Sequence, residues 1–97
     1  MAAIQIEEKY LTEILIKLLN TPSPTGLTEQ VINLVEEQLK SIKDISFTRT
    51  RKGNLVAEWK GAANDCPRAI IAHVDTLGAM VKEIKESGRL KLSAIGG

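Results

Sequence analysis

An α/β layered domain is what this sequence predicts, and three observations predict it. Up to Ile42 the apolar residues recur at helical spacing. From Ile45 onward they alternate at every second position or run together, as strands do. At 97 residues the chain suffices for one small domain and not two. A chain of this size is expected to bury roughly 65% of its unfolded surface, so the core should be thin.

The first helix is expected over 7–20. Leu11, Ile14, Leu15, Leu18 and Leu19 fall on one face of it. The stretch Thr21-Pro22-Ser23-Pro24-Thr25-Gly26 then stops it, because the residue before each proline is pushed out of helical geometry. A second helix is expected over 27–41, with Thr25 or Thr28 capping its first turn and Glu29 at its positive end. Val31, Leu34, Val35, Leu39 and Ile42 form its apolar stripe. Both helices read as packing elements.

Ile45 and Phe47 alternate with Ser46 and Thr48, and a second strand run follows over 54–60. Lys52-Gly53-Asn54 between them suits the turn of an antiparallel hairpin. Residues 61–67 read as a surface loop. Residues 69–74 (Ala-Ile-Ile-Ala-His-Val) are apolar on both sides, which predicts a central strand covered on both faces. Residues 79–85 after Gly78 read as a further strand, and Ser87-Gly88 turns the chain into 89–93. That makes four to five strands after two helices.

Composition narrows the function classes. Thirteen basic and twelve acidic residues leave a net charge of +1, so neither a nucleic-acid nor a membrane-surface partner is indicated. The local basic run Arg49, Arg51 and Lys52 reads as a solvated strand face. Hydrophobic residues make up 43% but aromatics only 3%, so any core must be aliphatic. Cys66 stands alone, which excludes an internal disulfide and suits a reducing compartment. No basic segment followed by an apolar run opens the chain, and no apolar stretch approaches membrane-spanning length. A cytoplasmic location is the expectation.

His73-Val74-Asp75 carries the chemistry. Residues i and i+2 of a strand project to the same side. The pair would emerge together where a buried strand enters a loop, the place where open α/β sheets carry their sites. A metal-bound imidazole usually donates its other N–H to a carboxylate, and His-x-Asp puts both groups in one place. Alone the signal is weak, since catalytic zinc wants three protein ligands and a histidine beside an aspartate is more often a structural pair. Ionisable residues at the end of an apolar strand, followed by Gly78, strengthen it.

Four ordered segments carry a resemblance to a known family. They are Pro22-Ser23-Pro24-Thr25-Gly26; Gly53-Asn54-Leu55-Val56-Ala57; Ala72-His73-Val74-Asp75 with Leu77-Gly78-Ala79-Met80-Val81; and Gly96-Gly97. The chain resembles the N-terminal part of the glutamyl-aminopeptidase/endoglucanase M-like metallo-aminopeptidases that assemble into tetrahedral particles. The resemblance implies a partial three-layer phosphorylase/peptidase-like domain, interrupted at Gly96-Gly97 where relatives insert a β-barrel domain. It implies that His73 ligates one of two divalent metal ions, zinc or cobalt, and that Asp75 orients it within the catalytic centre. It implies removal of N-terminal residues from peptides through a metal-activated water, in a homo-oligomer.

One position departs from the family pattern. Thr76 stands where a glutamate is common, and His-x-Asp-Thr also occurs in a related dinuclear family of carboxypeptidases and deacylases. Leu77-Gly78-Ala79-Met80-Val81 favours the aminopeptidase side. The remaining ligands of such enzymes have no counterpart here, since His73 is the only histidine. Glu7, Glu8, Glu13, Glu36, Glu37, Glu58 and Glu83 read as solvated helix or strand faces. The chain alone is therefore expected to bind metal at most weakly and to be inactive, with a non-catalytic oligomerising module as a further possibility. No pair of carboxylates suited to glycoside hydrolysis is evident.

Overall fold

A computed structural model describes residues 3–63 and 65–97. The order is α1 (Glu8–Leu19), α2 (Glu29–Leu39), β1 (Ile45–Arg49), β2 (Leu55–Trp59), β3 (Gly78–Ile84) and β4 (Leu90–Ile95). The helices and these four strands match the sequence periodicity to within a few residues.

On α2 the expected stripe is the inward face. Val31 is fully buried and Leu34, Val35, Leu39 and Ile42 are half-buried. On α1 only Ile14 and Leu18 gain partial cover, while Leu11, Leu15 and Leu19 stay exposed. Thr28 is the N-cap of α2 but makes no side-chain cap bond. Its backbone (φ −112°, ψ 0°) lies outside the extended region from which a cap side chain reaches back. The capping role expected of Thr25 or Thr28 is therefore not realised.

The strands form two separate antiparallel hairpins, β1–β2 and β3–β4. In the first, Ile45 faces Trp59 and Arg49 faces Leu55. Its turn closes with Gly53 N–H on the Thr50 carbonyl at 2.9 Å, and Gly53 takes φ +85°, a region that a side chain disfavours. The second hairpin repeats this closure, Gly88 N–H meeting the Lys85 carbonyl at 2.8 Å. Its register shifts between Val81 and Glu83.

Arg49 corrects the reading of a solvated basic face. It leaves β1 toward α2, where Nε and Nη2 both donate to Glu36 Oε2 at 2.9 and 2.6 Å. Nη2 also donates to Asn33 Oδ1 at 2.8 Å. Asn33 and Glu36 are three residues apart and so share one helix face. Arg51 does not join them, because the strand has already given way to the turn.

The central strand expected over 69–74 is absent. That segment joins no ladder, and Ile70 and Ile71 are 98% and 93% exposed. A strand apolar on both sides needs neighbours on both edges and cover on both faces, and the described residues supply neither. The layered sheet is replaced by two isolated hairpins. The same shortage shows in the dimensions: the radius of gyration is 18.2 Å, against about 12.5 Å for a compact chain of this length. The accessible surface is 9116 Å², where about 5,500 Å² is usual for this mass. Val31 is the only buried apolar side chain among the described residues.

Candidate metal centre

The segments that meet around His73 come from three parts of the chain. The loop between the helices lies beside the segment entering β3. Thr76 N–H donates to the Ser23 carbonyl at 2.9 Å, and Pro24 and Thr76 form an isolated parallel bridge. Ser23 is buried, and its Oγ lies 3.4 Å from Thr76 Oγ1. Gly78 makes the approach feasible: a Cβ there would stand 2.6 Å from Cβ of Pro24. Gly78 thus permits a close backbone approach, and Pro24 is the residue it admits.

His73 and Asp75 come together as their spacing implies, although on an unladdered segment. Nδ1 of His73 lies 3.0 Å from Asp75 Oδ1 and 3.2 Å from the Asp75 carbonyl oxygen. Both neighbours are acceptors, so Nδ1 carries a proton, and in the neutral ring Nε2 then holds the lone pair. The imidazole side chain is 84% exposed and the Asp75 side chain 42%. Thr25, Leu77, Gly96 and Gly97 line the open groove beside them.

Thr25 was not among the residues the sequence singled out for chemistry. Its hydroxyl donates to Asp75 Oδ2 at 2.9 Å. The carboxylate is thus held at both oxygens, by Thr25 on one and His73 on the other. These bonds, Thr25's first and His73's second, pull the Asp75 carboxyl below the usual aspartate range. Nothing in local periodicity could reveal a contact across fifty positions. The one available signal was that the Pro22–Gly26 segment is among the four that carry the family resemblance.

No group of three or more metal-capable side chains occurs among the described residues. The donor set fits one imidazole ligand with its carboxylate orienter and no more. Glu29 is, as expected, a first-turn charge on α2, and Glu83 pairs with Lys91 at 3.7 Å. Cys66 is exposed and far from being a ligand in any cluster. No described helix is long and apolar enough to cross a membrane.

Comparison with known proteins places the chain beside aminopeptidases. Residues 53–97, which include His73 and Asp75, match the family model of the M42 glutamyl aminopeptidases. The chain is 51% identical over 85 residues to "Putative aminopeptidase YhfE" of Bacillus subtilis (strain 168), a match that takes in 88% of this chain and 24% of that protein. It is 33% identical over 87 residues to lysyl aminopeptidase of Pyrococcus furiosus, again 88% of this chain and 24% of that protein. These matches support an M42 aminopeptidase segment. It spans about a quarter of the length of the curated relatives it matches.

Proposed function

We propose that this chain is the N-terminal segment of a metal-dependent aminopeptidase, with His73 as a metal ligand and Asp75 as the residue that orients it. The observation that carries this reading is the pair of oxygen acceptors facing His73 Nδ1. Nδ1 is committed to two acceptors within 3.2 Å, which in the neutral ring leaves Nε2 as a lone-pair donor on an exposed side chain. That is the state a metal-ligating imidazole requires. The family and the names of its relatives support the aminopeptidase activity.

The resident group would be a pair of divalent ions, zinc or cobalt. When bound, such ions make water acidic enough to serve as a nucleophile near neutral pH. This chain's contribution is narrower. His73 supplies one nitrogen, Asp75 fixes its ring, and the groove formed with Leu77 and Gly96 shapes one wall. Because a metal site needs about three protein ligands, the chain alone binds metal weakly and lacks peptidase turnover. The substrate is a peptide with a free N-terminal amine. The proposed setting is the cytoplasm, where a lone thiol such as Cys66 stays reduced. Homo-oligomer formation belongs to the same reading and is supported by hairpins whose every strand is an edge.

A hybrid protein tests the proposal. This chain replaces the matching quarter of the Bacillus subtilis relative, and release of an N-terminal residue from unblocked and N-acetylated peptides is followed. Metal-dependent turnover restricted to the unblocked peptide, lost in His73→Ala, is the expected result. Turnover that survives His73→Ala contradicts it.

A further inference from the structure

We propose that Thr25 is a positioning residue of the metal centre, holding the Asp75 carboxylate so that His73 is fixed as its Nδ1–H form. The inference rests on the reading of His73 as a ligand and extends it to a residue from another part of the chain.

Asp75 has reason to need such a partner. Rotation about a carboxylate's terminal bond is soft and roughly two-fold. A half-exposed carboxylate that held only His73 could turn toward water and release the ring. Thr25 occupies the second oxygen at 2.9 Å and removes that freedom.

Thr25 is itself held on three sides. The turn that carries it closes through Leu27 N–H to the Pro24 carbonyl at 2.8 Å. The residue before that turn, Ser23, accepts the Thr76 N–H, which ties the loop to the residue next to Asp75. Gly96 backs the hydroxyl: with φ +83°, a Cβ there would lie 3.3 Å from Thr25 Oγ1 and 3.3 Å from Leu77 Cδ2. A branched Cβ also leaves threonine few side-chain rotamers. The hydroxyl is therefore aimed at Asp75 by the fold rather than by its own neighbours in sequence.

The consequence reaches Nε2. With both carboxylate oxygens assigned, Oδ1 faces Nδ1 and the proton stays there. In the neutral ring Nε2 then points its lone pair outward, and without Thr25 the longer contact of Nδ1 to the Asp75 carbonyl oxygen, 3.2 Å against 3.0 Å, is the one that remains fixed. Serine preserves this function because it retains the hydroxyl. Valine keeps the shape and removes the donor.

The single histidine makes the test direct. The chain is labelled with ¹⁵N-histidine, and the tautomer is read from two-bond ¹H–¹⁵N couplings at a pH where the ring is neutral, with no metal present. Wild type and Thr25→Ser are expected to show Nδ1–H. Thr25→Val and Thr25→Ala are expected to lose it, moving to the Nε2–H form that free histidine prefers in water, while the β3–β4 amide signals remain. Nδ1–H retained in both donorless variants overturns the proposal, as does Nε2–H in the wild-type chain. Loss of the tautomer together with the β3–β4 signals in both variants also overturns it, since Thr25 would then serve folding alone. The tautomer is read without metal or peptide, so an inactive, metal-free hybrid would defeat the enzyme reading while leaving this result intact.

Discussion

Pro24 and Gly78 pack so closely that a methyl group on Gly78 would come within 2.6 Å of Cβ of Pro24. The contact presses the loop between the helices onto the start of β3. Gly78→Ala must push one of the two segments away. Overpacking of this kind costs about 1–3 kcal/mol. Chemical denaturation followed by circular dichroism should show that loss, and the Thr25–Asp75 bond should loosen with it. An unchanged midpoint would show that the loop yields freely.

The Arg49–Glu36 bridge makes a prediction about pH. Hydrogen bonding from Arg49, more than any other cause, lowers the Glu36 carboxyl from its ordinary value of 4.5. A carboxylate depressed in the fold stabilises above its unfolded value, and that contribution fades as pH falls through the depressed one. Stability from this bridge is therefore present above about pH 4.5 and is lost on further acidification. Arg49→Leu should raise the Glu36 titration midpoint toward the ordinary value, seen by ¹³C NMR. An unmoved midpoint would mean that the bridge does not persist in solution.

Backbone exchange should separate the segments. In β1–β2 and β3–β4 the alternate amides that point into the ladder should be protected, and those on the open edges should not. Those of residues 69–73 join no ladder and should exchange at nearly the rate of an unfolded chain. Thr76, bonded to Ser23, should stand out from its neighbours. Protection across 69–73 in the chain alone would reveal a partner strand, supplied by a second copy.

Asp75→Asn in the hybrid protein should weaken metal binding by about 10–100-fold, the usual cost of losing a ligand's outer partner. The amide can present its oxygen to Nδ1, so the ring keeps its place but loses the charge behind it. Competition with a coloured chelator measures the change. Unaltered affinity would separate Asp75 from the metal centre.

Much of this was legible because it is local. Helical spacing located α1 and α2, alternation and Gly53 located the first hairpin, and the two-residue offset brought His73 and Asp75 together. The contacts that escaped notice are those between distant segments. Thr25 looked like a helix cap because capping depends on near neighbours, and its actual partner lies fifty residues on. Arg49 looked solvated because its strand face was legible and the helix opposite was not. Residues 69–74 have the pattern of a buried strand, but pattern records what a segment would need around it. Among the described residues that surrounding is missing, and Ile70 and Ile71 remain in water.

The central claim is that His73 ligates metal, and metal content tests it most directly. The hybrid protein and its His73→Ala variant would be loaded with zinc or cobalt, passed through a desalting column and analysed for metal per chain. Near two ions in the parent hybrid and a loss of at least about one in the variant is the predicted result. A His73→Ala variant that retains the full complement, with its fold intact by circular dichroism, would contradict the account.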